Sequence, residues 1–398
     1  MYKGYPWTCA DVLSLLGVRY NINKEENMIV CPFCGGNRFG MNIRKGTGHC
    51  FKCGETADSA GYYAASTGLA VQDAREDIKR RLNITDNSDL QPIHKVFKEV
   101  EQEDIAPIEV RDHTYREFLN ELKLSDKNLE HLLKRGFTKD DVKQLGYKTY
   151  PSPDRISFED LCRRLLKKGC KLAGVPGFYK DNNNDWTFIK MTQGIIIPQK
   201  NVNNQIEGFQ IRKDDDLRKP GKDGEPEAKI SWFSSKNFKN GTGAHTSIHI
   251  ATDFRFNRLK ERYEPVIHGD IATLTEGGMK ADLCACLMGY EATFIAVQGV
   301  HALKPLEEGL IKLKEYGLKT VNIAFDMDYL TNPNVADAMK KVEELLDRLN
   351  LNKFNMMNWE SEISEDGENF TLKGLDDYLA YQLKKIKPIV SKHKEAAL

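Results

Sequence analysis

The sequence predicts a multidomain chain of α+β and α/β units rather than one large core. Three features carry that expectation. Two Cys-x-x-Cys pairs, Cys31/Cys34 and Cys50/Cys53, stand near the start with residues 35–49 between them. From residue 270 onward, short apolar runs alternate with helical patterns, the rhythm of a mostly parallel sheet with covering helices. The stretch 87–110 is polar and acidic, holds Pro92 and Pro107, and has no clean period, which reads as a linker. A chain of 398 residues has room for about two to three such domains.

Taken in order, a short helix at 10–16 leads into the cysteine cluster, and a helix over 58–82 closes the first unit. Leu and Val at three- and four-residue spacings predict helices over 115–145. A basic amphipathic helix is expected over 155–172. Strands follow at 194–198, 206–211, 230–234 and 247–251. The alternating part then reads strand 271–275, helix 279–289, strand 292–297, helix 303–316, strand 320–325, helix 335–349, strand 353–359 and a final helix over 375–384. The expected domains are a zinc ribbon over 1–85, a linker over 86–112, a mixed α+β subdomain over 113–265, an α/β domain over 266–386 and a basic tail over 387–398.

Composition excludes more than it assigns. The 58 basic and 58 acidic residues cancel, so a nucleic-acid partner would have to be held by local clusters of positive charge. No apolar run approaches a membrane span, and the first residues lack the apolar core of a signal peptide. Nine cysteines, four of them at metal spacing, read as reduced thiols of a cytoplasmic protein. Cys9, Cys162, Cys170, Cys284 and Cys286 read as packing residues.

Each Cys-x-x-Cys knuckle aims two thiolates at one point, and two knuckles joined by a hairpin complete a tetrahedral zinc site. Four protein ligands leave no open position, so the zinc would be structural; His49 is the alternative ligand. Arg38, Arg44, Lys45 and Lys52, with Phe39 and Phe51, would make a basic, aromatic face suited to a single nucleic-acid strand. A solvated ribbon surface is the plainer alternative.

In a parallel sheet, ligands collect beyond the carboxyl ends of the strands. Glu276 stands just beyond one predicted strand, on the turn Gly277-Gly278. Asp326 and Asp328 stand just beyond another and, two apart on extended chain, point the same way. Three carboxylates held together call for cations, and hard oxygen donors indicate Mg²⁺ or Mn²⁺. Lys280 would neighbour a phosphate, as would the backbone at Gly277. Arg212 and Lys213 at a strand end, with Lys229, are candidate phosphate contacts, or else pair with Asp214, Asp215 and Asp216.

The strand tip Glu276-Gly277 with the later Asp326-x-Asp328 resembles the Toprim domain shared by bacterial-type primases, topoisomerases and some nucleases. The four-cysteine ribbon ahead of it, the segment HCFKCGETADSAGYYAASTGL, the helices of LEHLLKRGFTKDDVKQLGY and the strands Gly194–Pro198 and Ile206–Arg212 resemble bacterial-type DNA primases in the same order. That resemblance covers, with gaps, about residues 8 to 385. It implies Glu276 as metal ligand or general base, Asp326 and Asp328 as holders of catalytic Mg²⁺ or Mn²⁺, and Asp376 as a further acidic metal site. It also implies Arg212 and Lys229 as contacts to single-stranded DNA or to nucleoside triphosphates. The implied activity is a nucleotidyltransferase that copies single-stranded DNA into short RNA primers, with a replicative helicase as a candidate partner.

The chain departs from the replicative pattern in Cys34, Gly278 and Lys280, and in Trp232 and Ser234 of Lys229–Ser235. These departures resemble primases carried by phages, plasmids and conjugative elements. A Toprim nuclease, or a single-strand-binding recruiting factor without turnover, is the alternative that the same acids allow.

Overall fold

The computed structural model describes residues 5–84, 102–220, 226–236, 238–244, 248–299, 302–327, 332–356, 358–365 and 368–383. The chain divides into two compact units, Met1–Glu99 and Val100–Leu398.

In the first unit, helix α1 (Cys9–Leu15) starts at a capping box in which Thr8 and Asp11 satisfy each other's backbone N–H groups. Strands β1 (Glu26–Ile29), β2 (Phe39–Asn42), β3 (Thr47–Cys50) and β4 (Thr56–Asp58) form an antiparallel sheet in chain order. The helix expected over 58–82 is two helices, α2 (Ser59–Thr67) and α3 (Val71–Arg81). Gly68 at φ 73° caps α2 in the left-handed region that glycine enters without strain, and the chain turns back there. Cys9, Leu13, Ile29, Met41 and Tyr62 form the core beside the knuckles. Phe39 lies in that core with no exposed surface, so it cannot belong to the aromatic face expected of it; it faces Tyr62 at 5.2 Å.

The second unit begins with α4 (Ile108–Asn120), which starts inside the stretch expected as linker. Then come α5 (Asp126–Arg135), α6 (Lys139–Leu145), β5 (Lys148–Thr149), α7 (Phe158–Lys167), the small hairpin β6 (Phe178–Lys180) and β7 (Trp186–Phe188), β8 (Gly194–Lys200), β9 (Ile206–Lys213) and β10 (Ile230–Trp232). An antiparallel sheet runs β10-β9-β8-β5. Tyr115, Phe118, Phe178, Phe188, Phe209 and Phe233 fill the space between it and α4 and α7, with Phe158 stacked on Phe188 at 3.9 Å.

The remaining elements are β11 (His249–Ala251), the hairpin β12 (Phe254–Asn257) and β13 (Arg262–Pro265), β14 (Ile271–Glu276), α8 (Gly278–Leu287), β15 (Phe294–Val297), α9 (Leu303–Lys314), β16 (Thr320–Ile323), α10 (Pro333–Arg348), β17 (Asn352–Met356), the hairpin β18 (Glu362–Glu365) and β19 (Glu368–Thr371), and α11 (Leu375–Gln382). The five-stranded sheet runs β11-β15-β14-β16-β17. Its last four strands are parallel, and β11 pairs antiparallel with β15 at the edge. Thus β11 adds itself to the α/β sheet although its residues were expected in the preceding subdomain. Three residues are too few to show which sheet a strand joins.

The chain leaves β14 for β15 on one side and returns to β16 on the other. The order therefore reverses at β14, where an open α/β sheet leaves a crevice beyond the strand ends. Helix α8 packs Met279 and Leu283 against Leu132, Phe137, Tyr147 and Ile197, which ties the two sheets together. A buried polar chain reinforces the contact. Tyr147 Oη donates to Asp282 Oδ2 at 2.6 Å, and His249 Nε2 lies 2.9 Å from Asp282 Oδ1. Since His249 Nδ1 accepts the Lys200 N–H at 3.1 Å, Nε2 is the nitrogen that donates to Asp282.

Candidate active site

The two cysteine pairs converge. The four Sγ atoms of Cys31, Cys34, Cys50 and Cys53 lie within 4.8 Å of one another. Cys31 and Cys53 are 3.7 Å apart, and Cys34 and Cys50 are 3.8 Å apart. A tetrahedron with Zn–S bonds of about 2.3 Å requires sulfur separations of about 3.8 Å, which these two pairs match, so the four thiols fit zinc. Each knuckle closes on itself: Gly35 N–H donates to Cys31 O at 2.9 Å and Gly54 N–H to Cys50 O at 3.0 Å. Burial works against the Cys50 thiolate, but the N–H groups of Cys53 and Lys52 outweigh it and bring the thiol down to about 6. His49 stays outside the cluster, edge-on to Phe51 at 5.2 Å. Arg44, Lys52 and Phe51 are exposed on the ribbon.

In the second unit, a cavity of about 540 Å³ opens beyond the carboxyl ends of β14 and β16. Six of the residues predicted from sequence line it: Glu276, Gly277, Lys280, Asp326, Arg212 and Lys229. The sheet register explains the acidic wall. Leu274 pairs with Ile323, so Glu276 and Asp326 leave neighbouring strands at the same edge. Gly277 at φ 80° makes the turn from β14 into α8. Gly278 lies so close to Gln199 that an added Cβ would come within 2.8 Å of its amide atoms.

The basic wall comes from the antiparallel sheet. Arg212 on β9 is opposite Ile230 on β10, and Lys229 precedes that strand. Asp215 lies 3.0 Å from Arg212 Nη2 and 3.8 Å from Lys229 Nζ, so these cations both line the cavity and share an aspartate. Burial lowers the pKa of Arg212, and burial followed by the Arg212 charge lowers that of Lys229. Trp232, Ile230 and Gln210 line the same cavity.

Sequence reasoning missed four residues in or beside the site. Arg135, at the end of α5, pairs with Asp376 Oδ2. His131, one turn earlier, is pushed down to about 4 by burial and then by Arg212 and Arg135. Lys373 Nζ lies 3.7 Å from Asp326 Oδ2, and Gln298 lines the cavity. No local pattern marks them; α5 is an ordinary amphipathic helix until packing brings its last turn to α11.

The predicted residues do not all meet. Asp376 is fully buried in the first turn of α11, behind the cavity, and its Oδ1 has no hydrogen-bond partner among the described residues. Lys213 points away: it is buried against Glu227 at 2.6 Å and lines a separate hollow with Asp154 and Thr192. Asp328 lies outside the described residues.

The acids carry their own counter-charges. Lys280 Nζ contacts Asp326 Oδ1. Burial would lower the Lys280 pKa, but Asp326 and then Asp376 outweigh it and hold the amine above its ordinary value. A Cβ built on Gly374 would lie 3.3 Å from Lys280 Nζ and 3.4 Å from Asp326 Oδ1, and would clash with Asp376 Oδ1. Only glycine leaves the space on which these groups converge. The carboxylate oxygens are hard donors that fit Mg²⁺ or Mn²⁺. Among the described residues, however, the four thiols are the one metal-ligating set of three or more that has already converged.

No protein-family model matches the chain. It is 24% identical over 354 residues to the DNA primase of Thermotoga maritima, covering 85% of this chain and 54% of that protein. It is 28% identical over 203 residues to the DNA primase of Helicobacter pylori, covering 50% of this chain and 34% of that protein. The crystal structure of the Aquifex aeolicus primase zinc-binding and RNA polymerase domains superposes with a TM-score of 0.45 at 14% identity, over 94% of this chain and 80% of that one. Among the described residues no helix is long and apolar enough to cross a membrane. The chain spans about a third to a half of the length of these curated proteins. By sequence it is similar to bacterial DNA primases.

Proposed function

We propose that the second unit is a Toprim-type catalytic core for DNA-templated primer synthesis, joining nucleoside triphosphates into short RNA on single-stranded DNA. The observation that carries this reading is the facing of two walls across one cavity: Glu276 and Asp326 on one side, Arg212 and Lys229 on the other. Nucleotidyl transfer needs that pairing. Cations hold the triphosphate, and acids manage the charge and the proton where the new bond forms. The similarity to DNA primases supports the choice of reaction.

Glu276 and Asp326, with Asp328, would hold one or two Mg²⁺ or Mn²⁺ ions, and Asp376 would support them from behind. Such ions supply charge neutralisation at the α-phosphate and at the leaving pyrophosphate. Arg212 and Lys229 would grip phosphates of the triphosphate or template. Lys280 and the N–H groups at the start of α8 would reach the triphosphate from the opposite wall. Trp232 offers a flat apolar surface for a base. Glu276 is the candidate base for the attacking 3′-hydroxyl. In the first unit, the zinc-fitting ribbon would hold template through Arg44, Lys52 and Phe51.

The test is synthesis on unprimed single-stranded DNA with labelled nucleoside triphosphates and Mg²⁺ or Mn²⁺. Short labelled oligonucleotides are expected from the natural chain and none from Glu276→Gln or Asp326→Asn. Template loss without synthesis would instead identify a nuclease. Binding without either outcome would identify a recruiting factor.

A further inference from the structure

We propose that Lys280 occupies the cation position at Asp326 in the free protein and must yield it to a divalent ion, so that metal and triphosphate bind this cavity cooperatively. The inference rests on reading the cavity as a nucleotidyl-transfer site, and it goes further by giving Lys280 two alternating partners.

Both oxygens of Asp326 face an ammonium group: Lys280 at Oδ1, and Lys373 at Oδ2 across 3.7 Å. A divalent ion needs direct contact with a carboxylate oxygen at about 2.0–2.1 Å and cannot share that oxygen with an ammonium on the same side. The Lys280 side chain is 25% exposed and ends at the cavity. Its backbone is held by the Gly277 turn and the packing of Gly278 on Gln199. Its flexible stem lines the cavity of about 540 Å³ that also holds Arg212 and Lys229. The ammonium can therefore leave Asp326 toward the wall where a triphosphate would lie. A phosphate draws it there and exposes the carboxylate, and a metal on the carboxylate drives it the same way. Because the coupling is thermodynamic, each ligand tightens the other by one common factor.

Arg135 has no such freedom. It comes from a different helix and is bound to the fully buried Asp376. Unlike Arg135, Lys280 can exchange partners, and it acts as a positioning residue for both ligands.

The experiment titrates Mn²⁺ alone into the zinc-loaded full chain, with free ion read by electron paramagnetic resonance. Lys280→Met is expected to bind Mn²⁺ at least about tenfold more tightly than the natural protein, within the usual range of site coupling. Lys280→Arg should stay near the natural value, and Lys280→Met with Asp326→Asn should lose the gain. With no divalent metal added beyond the bound zinc, tripolyphosphate should bind Lys280→Met at least about fivefold more weakly than the natural chain. Lys280→Gln serves if the methionine variant does not fold. Equal or weaker Mn²⁺ binding by folded Lys280→Met or Lys280→Gln overturns the proposal, as does the absence of Mn²⁺ binding in every protein. Primer synthesis assayed alongside separates the two claims. Synthesis with unchanged Mn²⁺ affinity removes the lysine exchange alone, whereas no synthesis by the natural chain removes the polymerase reading.

Discussion

Replacing Arg135 by Met should destabilise the second unit through Asp376 rather than through lost packing. Asp376 has no exposed surface and the Arg135 side chain is 26% exposed, so the pair is buried on the acid side and partly wet on the other. Removing one member of a fully buried pair costs about 3–5 kcal/mol, because the remaining charge has no compensation. Partial solvation of the arginine brings the expectation here to about 2–4 kcal/mol. Oδ1 of Asp376 lacks a partner among the described residues, and the neighbouring Asp377 is already held above its ordinary pKa by burial and by Asp376. The orphaned carboxylate then keeps only the Lys280 ammonium, already bound to Asp326, as a nearby positive charge. For a unit of this size, about 2 °C of melting shift accompanies each kcal/mol, which gives a loss of about 4–8 °C by scanning calorimetry. Asp376→Asn in the same chain should recover most of it, since the amide carries no charge to bury. A shift below about 1 °C, or a double variant no more stable than Arg135→Met, would refute the reasoning.

Further outcomes follow from other parts of the molecule. Cys34→Ala should abolish stoichiometric zinc, measured by mass spectrometry of the purified chain, and melt the first unit while the second keeps its own transition. Gly277→Ala forces a side chain into φ 80° and should lower the melting temperature by an amount equivalent to about 1 kcal/mol, with a larger loss of primer synthesis because the α8 entry moves. His131 is depressed from 6.5 to about 4. Its contribution to stability is therefore complete above pH 6.5 and is lost as pH falls from 6.5 toward 4, where the unfolded chain takes up the proton first. His131→Asn should flatten the fall in denaturation midpoint over that window, and an unchanged slope would exclude His131 as its source.

Much of the site could be read in the chain because its elements are local. Glycines beside paired cysteines form knuckles wherever they occur, and Glu276-Gly277-Gly278 announces a strand end, a turn and a helix start in three residues. The α/β rhythm from residue 271 survives in the structure with boundary shifts of a few residues, since apolar periodicity and helix length are properties of short segments. The hairpins β12–β13 and β18–β19 escaped notice because strands of four residues show too little alternation to register. The single helix expected at 58–82 failed for the opposite reason: good periodicity on both sides masked the left-handed break at Gly68.

The four-thiol site, the alternation that builds the parallel sheet and the acids at its carboxyl edge are legible in the chain alone. Each depends on spacing along the chain. Which charges face which is set by long-range packing. It sent Lys213 to Glu227 and away from the cavity, placed Asp376 behind rather than within it, and gave Asp326 and Asp376 the cations Lys280, Lys373 and Arg135. Asp376 and Arg135 are 241 positions apart. Nothing in local propensity relates residues that distant; the packing of α5 and α8 in one apolar cluster beside β8 does, because burying those helices' apolar faces fixes where their polar ends must lie.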